Sequence, residues 1–448
     1  MGAATSGGAG GPSVARPGRR PGRLLQPNQG PDRPLLLVRP RMWVAVLVVA
    51  VAAGLGADLL MALLRAVQHL SFDYSVGSFL AAVQRSSPAR RVGVLTLAGL
   101  VAGTGWYALR RYGSRGADVA GAVWTRSGQL PALPALGNAV LSIVVVAMGA
   151  SLGREAAPQQ VGAVAASKAS GRLALTGDER RLLTACGAAA GMGAVYNVPL
   201  GAALFATEVL LGEITLATVV PALATTTVAT VVAWAGLPNQ PLYTTGAFHA
   251  TPSQLVFALV AGPVFGLAAA GWTTAIRWTT DTRTDGWRLL IVPVGVFAAL
   301  GALSVAYPQL LGNGRGVIQD TLERPPNLGL LAALLVLKPL ATVACLRSGA
   351  SGGLFTPTMA LGALAGAAGG RLWNQLWPSP AGGSYAALGA GALLAAAMQG
   401  PLAATVLMVE LAPKTSALLV PMLLAALGAT LTARALRCES LYSARVRL

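Results

Sequence analysis

Long apolar runs broken by glycine and proline set the pattern of this chain. They recur at Met42–Leu64, Val92–Leu109, Leu133–Leu152, Ala217–Leu237, Leu255–Ile276, Leu289–Val305, Leu328–Cys345, Tyr385–Met398 and Leu418–Leu436. Several run to about 20 residues, enough to carry a helix through a hydrocarbon core of about 30 Å. Others are shorter and interrupted, which predicts helices that stop partway across. Such breaks persist at membrane depth only where they are buried in protein or line a wet cavity.

The punctuation repeats after about 200 residues. Gly113-Ser114-Arg115-Gly116 is echoed by Gly312-Asn313-Gly314-Arg315-Gly316, and Gly153-Arg154-Glu155 with Gly162 by Gly353-Leu354-Phe355 with Gly362. The segment GAAAGMGAVYNVPLGAALFATEV from Gly187 returns as GAGALLAAAMQGPLAATVLMVEL from Gly389, and the spacing from Pro199 to Glu208 equals that from Pro401 to Glu410. Three echoes in one order predict two related halves, about 42–238 and 255–445, meeting at a shared site.

Composition supports lipid as the main solvent: 54% of residues are hydrophobic and 11% charged, with a mean hydropathy of +0.62. The net charge of +18 would suggest nucleic acid in a soluble chain, but it is concentrated at the ends and lacks interleaved aromatics. Residues 1–41 carry Arg16, Arg19, Arg20, Arg23, Arg33, Arg39 and Arg41 against Asp32, and the tail carries Arg434, Arg437, Arg445 and Arg447. By the positive-inside rule both termini are expected in the cytoplasm. The Gly/Pro/Arg-rich start, residues 1–41, is expected to be disordered and is no signal peptide, because the first apolar run begins too late. Cys186, Cys345 and Cys438 form no CxxC, and His69 and His249 are the only histidines. No disulfide framework, metal site or His-based catalysis is expected, and no cofactor.

An ionisable group inside an apolar span is a functional candidate by its cost alone. Glu155, Glu208 and Glu410 stand out, with Asp58, Asp118 and Lys338 behind them. Glu155 lies where one apolar run ends and a helix begins, so free N–H groups and the positive helix end are at hand. A carboxylate there can act as a tethered anion that leaves when protonated. It can equally be an ordinary first-turn Glu, or a partner of Arg154. Ser114 is either an N-cap or a hydroxyl donor to a ligand. Gly352-Gly353-Leu354-Phe355-Thr356-Pro357 opens a helix with bare amides suited to an anion and Pro357 near its first position, while Phe355 alone reads equally as core packing. Tyr442 taken alone is an interfacial aromatic. The symmetric Glu208 and Glu410 are expected to cap neighbouring broken helices from the cytoplasmic side. Lys338 either neutralises one of these carboxylates or adds positive potential to an anion path.

Taken together, the motifs resemble the CLC family of chloride channels and chloride/proton antiporters, in its prokaryotic form. The resemblance spans about residues 43–445 and rests on Gly113-Ser114, Gly153-Arg154-Glu155, Tyr196-Asn197-Val198-Pro199-Leu200, Gly353-Leu354-Phe355-Thr356-Pro357 and Leu441-Tyr442-Ser443-Ala444. It implies an all-α integral membrane protein over residues 42–445, an inverted repeat whose broken helices meet at a central anion site. It also implies a homodimer with one path per subunit, in a bacterial plasma membrane. Glu155 becomes the external gate and proton carrier, Ser114 and Tyr442 central anion ligands, and Gly353, Leu354 and Phe355 part of the same site. Arg115 and Lys338 are candidate pore or vestibule residues.

Three departures shape the functional expectation. Val209 follows Glu208 where the well-studied bacterial antiporters carry a second carboxylate, the internal proton acceptor. Ala156-Ala157 replaces Gly-Pro after the gate, with Pro158 one residue late. Arg115-Gly116-Ala117 replaces Gly-Ile-Pro, so a guanidinium either meets the central site or faces the vestibule. Chloride conduction gated by Glu155 is therefore expected ahead of chloride/proton exchange, with other halides or nitrate as alternative ions. The rivals are a fluoride/proton antiporter, an intramembrane enzyme using Glu155 as base, which lacks a nucleophile–base pair, and a non-conducting scaffold. The sequence ends just after the Tyr442 motif, so the nucleotide-binding regulatory pair of many eukaryotic members is not expected.

Overall fold

The computed structural model describes residues 1–2, 39–74, 77–112, 118–124, 128–379 and 382–446. Most of the basic start lies outside this set, as do residues 113–117. The first half holds α1 (Pro40–Phe72), α2 (Phe79–Arg85), α3 (Pro88–Tyr112), α4 (Val119–Trp124), α5 (Ala132–Ala147), α6 (Ala156–Arg172), α7 (Gly177–Tyr196), α8 (Pro199–Leu204) and α9 (Leu216–Ala233). A π-helical segment, Phe205–Leu211, continues α8. The second half holds α10 (Pro252–Asp281), α11 (Val292–Ala306), α12 (Arg315–Glu323), α13 (Leu328–Arg347), α14 (Phe355–Leu376), α15 (Ser384–Met398), α16 (Pro401–Leu411) and α17 (Leu419–Ala435).

Among the described residues, seven helical stretches are long and apolar enough to cross a membrane: α1, α3, α9, α10, Gly286–Ala306 around α11, α13, and Pro413–Ala435 around α17. An apolar run of the sequence lies in each of these seven, but α6, α7 and α14 escaped them. Those helices are rich in Ala and Gly because they face protein. Every residue of α15 is buried, and in α7 every residue from Leu182 onward. A Cβ built on Gly162 of α6 would overlap the Gly187 carbonyl of α7, and one on Gly362 of α14 would overlap the Gly389 carbonyl of α15. Apolar surface has no drive to leave lipid, so such helices are held by backbones in van der Waals contact, which only small residues permit.

The halves correspond in detail. After α5 the chain turns through Gly149 at φ 108°, and after α13 through Gly349 at φ 106°. Each turn leads to a glycine of a β-bridge, where Gly153 and Gly353 each donate an N–H to the other's carbonyl at 2.8 Å. Helices α7 and α15 end in left-handed caps, Asn197 at φ 57° and Gln399 at φ 61°.

Glu208 and Glu410 exchange places across this relation. Glu410 accepts from the N–H groups of Leu200 (3.1 Å) and Gly201 (2.6 Å) at the start of α8. Glu208 accepts from Leu402 (3.2 Å) and Ala403 (2.6 Å) at the start of α16. Both carboxylates thus satisfy orphan amides behind a helix-opening proline, as their spacing suggested. Reciprocity of this kind is what a two-fold relation produces.

Lys338 does not neutralise either of the symmetric carboxylates. It is buried in α13 and donates to three carbonyls, Gln309 (3.3 Å), Leu310 (2.9 Å) and Gly312 (2.9 Å). It therefore gathers the turn ahead of α12 and reaches neither Glu208 nor Glu410. Pro357 is the third residue of α14 rather than the first, still within the turn whose N–H groups lack intrahelical partners.

Candidate functional site

Glu155 caps α6 in sequence but serves another helix. Its side chain crosses to the start of α14, where the Phe355 N–H donates to Oε1 at 2.6 Å. Tyr196 Oη donates to Oε2 at 3.1 Å, and Thr356 Oγ1 lies 3.4 Å from the same oxygen. The two hydroxyls are 2.9 Å apart. Only 2% of Glu155 is exposed, so no bulk water shares its charge. Each contact suits an ionised carboxylate: an unpaired amide, the positive end of a helix dipole and two hydroxyls.

Both bridging glycines are dictated by this carboxylate. A Cβ on Gly153 or on Gly353 would overlap its oxygens. The bridge therefore does two jobs, joining the two broken segments and leaving a slot for the Glu155 side chain. Leu354 is buried as the N-cap of α14. The Phe355 ring is buried and stacks on Tyr196 with centroids 5.8 Å apart, while its amide faces the carboxylate. The packing reading of Phe355 thus holds for its ring, while its amide is engaged by the Glu155 carboxylate.

Tyr442 lies beyond α17, half-buried, with its ring 5.2 Å from that of Phe205. The Leu441 N–H ties the tail to the Ala397 carbonyl of α15 at 2.8 Å, and Arg445 donates to the Gly352 carbonyl at 3.1 Å. The tail is therefore bound to the segment leading into α14. Its hydroxyl lies near the Gln159 side chain and interacts electrostatically with Glu155 and Asp118. Val209 is buried in the π-helical segment and faces Gly400. Ser114 and Arg115 lie outside the described residues.

Two functional candidates were passed over in the sequence. Tyr196 and Thr356 sit inside quoted motifs, yet nothing local marks their hydroxyls as partners of Glu155, because the contacts join residues far apart in the chain. The available signal was a hydroxyl beside a Gly/Pro-framed helix end in each half. Arg154, which the sequence offered as a partner of Glu155, has its guanidinium over the Tyr196 ring, 5.2 Å from the centroid. Above them opens a cavity of roughly 270 Å³, walled in part by Arg154, Tyr196, Asn313 and Arg315.

The protein-family profile described as "Voltage gated chloride channel" matches residues 94–434. The chain is 32% identical over 415 residues to a "Voltage-gated ClC-type chloride channel ClcB" of Citrobacter koseri, an alignment covering 90% of this chain and 98% of that one. Among solved structures it resembles a slow cyanobacterial Cl⁻/H⁺ antiporter (TM-score 0.78) and a CLC-type fluoride/proton antiporter (TM-score 0.73). Each is 21% identical, with 90% of this chain and 97% of the other covered, which speaks to the fold. The profile match, the near full-length likeness to the Citrobacter protein and the shared broken-helix architecture lead to one conclusion: the chain is an integral, multi-pass membrane protein and belongs to the voltage-gated chloride channel, or CLC, family.

Proposed function

We propose that the protein moves chloride across a membrane and that Glu155 gates the path. The observation that carries this reading is the Glu155 carboxylate at the start of α14, held by the Phe355 N–H. A helix start that holds a carboxylate is chemically fit to hold chloride, since both are partly dehydrated monovalent anions. Protonation removes the charge that the amide and dipole retain. The side chain then leaves and an anion takes its place. Tyr442 and Ser114 are the proposed hydroxyl ligands deeper in the path, with Gly353, Leu354 and Phe355 supplying backbone.

Channel-like conduction is favoured over tightly coupled exchange, because Val209 offers no carboxylate to take up a proton on the inner side. The ClcB relative bears a chloride-channel name, in keeping with this choice. Proton coupling draws support from one feature, the hydrogen-bonded string of Glu155, Tyr196 and Thr356. The reading carries with it a homodimer with one path per subunit. It also places both termini in the cytoplasm, on the strength of the arginines flanking the first and last spans.

The test is chloride efflux from liposomes holding the purified protein, with external pH recorded together. Chloride leak without proton movement supports a channel. Uphill proton movement driven by a chloride gradient would replace it with an exchanger, and the absence of any chloride flux would sink both. Fluoride that competes poorly with chloride is expected, and preferential fluoride flux would favour the fluoride/proton reading.

A further inference from the structure

We infer that an anionic phospholipid docks where α10 and α13 end together, with its acyl chains along their exposed sides and its phosphate on Arg347 and Arg288. Beyond its first turn, the exposed residues of α13 are Ala332, Val336, Leu340 and Arg347, which share one helical face. From Val336 to Arg347 the helix rises about 16 Å, close to the hydrocarbon depth of one leaflet. On α10, Val260, Val264, Leu267 and Trp278 are exposed at matching helical spacing. The two faces converge at their ends, where the Arg347 guanidinium sits 4.6 Å from the centroid of the Trp278 ring. An apolar track that ends in a guanidinium has the order of parts of an acyl chain and its phosphate.

Arg347 is placed to receive an oxyanion. Stacking on a ring engages the face of a guanidinium and leaves its N–H edge for a phosphate. Among the described residues neither Arg347 nor Arg288 has a carboxylate or carbonyl partner for its side chain. The chain beyond α10 brings the second guanidinium close. The Thr284 N–H donates to the Arg347 carbonyl at 2.9 Å, and Arg283 donates to the Gly349 carbonyl at 2.6 Å. Leu289, in the 3₁₀ helix Gly286–Leu290, packs against Gly349. Trp287 and Arg288, both exposed, therefore stand next to the end of α13. The acids at this edge are Asp281, Asp285 and Glu439. Asp285 lies 3.6 Å from Arg110, and Glu439 pairs with Arg277. Arg111, Arg283, Arg288 and Arg347 then leave the edge positive against Asp281, and a positive edge at the ends of spans attracts anionic headgroups. Neither the tracks nor the guanidinium depends on the chloride reading.

Native mass spectrometry of the full chain in detergent, with phosphatidylglycerol added, tests the inference. One tightly held phosphatidylglycerol per chain is expected, with phosphatidylcholine held at least tenfold more weakly. Arg347→Gln should weaken retention about fivefold, the share of one arginine beside a headgroup. Trp278→Leu should weaken it too, through the ring that orients Arg347. Arg172→Gln, at the exposed end of α6, should leave it unchanged. Equal losses in all three variants would mean attraction to surface charge in general and would overturn the inference. So would the absence of a held lipid, or its displacement by glycerol phosphate, which carries the phosphate without the chains. Leu340→Cys that forms a disulfide-linked dimer in membranes, where the parent forms none, would assign the face to a second copy instead.

Discussion

Glu155 is held by contacts that favour its charged form, so each side chain around it should change the proposed gate in a stated direction. Glu155→Gln keeps the shape but loses the charge. Chloride flux through that variant should be raised at neutral pH and flat with pH, and unchanged pH dependence in the flux assay would remove Glu155 from the gate. Tyr196→Phe deletes a donor to the ionised carboxylate, which then protonates more readily. The pH midpoint of flux should move upward by roughly one unit, the scale of one hydrogen bond to a charged group. A structural role confined to ring stacking on Phe355 would leave the midpoint in place. At this scale the sequence revealed charge and punctuation but not partners. Glu155 was legible because a carboxylate between Gly-framed apolar runs is costly wherever it lies. Tyr196 and Thr356 were not, because their hydroxyls gain meaning only across the interface of the halves. The partners of Lys338 were hidden for the same reason: carbonyls gathered by a turn leave no mark in the residue pattern.

At the scale of elements, helix ends carry the specificity. Glu208→Ala and Glu410→Ala each strip two hydrogen bonds from a proline-opened helix. Each should lower stability in detergent by about 1 kcal/mol, as for a lost N-cap, and by similar amounts because the contacts mirror one another. Unequal losses in thermal unfolding would show that the two ends are not equivalent. The start of α7 is capped differently. Thr176 accepts from the Glu179 N–H, while Glu179 Oε2 accepts from the Thr176 N–H at 2.7 Å, and Arg39 pairs with it at 3.2 Å. Burial by itself would raise the Glu179 carboxyl, but the Thr176 hydrogen bonds and then the Arg39 charge outweigh it and hold the group below its usual range. A depressed folded value means that this stabilisation is present above the ordinary value of 4.5 and is lost as pH falls through the lower folded one. Acidification through that window should therefore lower the melting temperature of the parent protein more than that of Glu179→Gln. Equal slopes would assign the cap no titrating role.

For the whole molecule, the repeat was legible because membrane-depth breaks need Gly and Pro, and those residues survive as an audible rhythm at Gly153 and Gly353 or Pro199 and Pro401. The largely buried α6, α7 and α14 were illegible as runs, since their Gly, Ala, Ser and Gln residues interrupt any long apolar stretch. What joins the halves is a set of contacts between distant partners: Glu155 with Phe355, Glu410 with Gly201, Glu208 with Ala403. A chain truncated after residue 400 keeps all of its first-half helices yet loses Glu410. Limited proteolysis should find it cleaved readily around α8, and protection equal to the full chain would contradict that dependence. The mutual capping also has a bearing on synthesis. A ribosome delivers the amides of Leu200 and Gly201 to the membrane long before it reaches codon 410, so the start of α8 must wait, solvated or shielded by insertion machinery, for a carboxylate still to be made. Phe355, the partner of Glu155, is delivered well before Glu410, so the slot around Glu155 can form while the start of α8 is still uncapped.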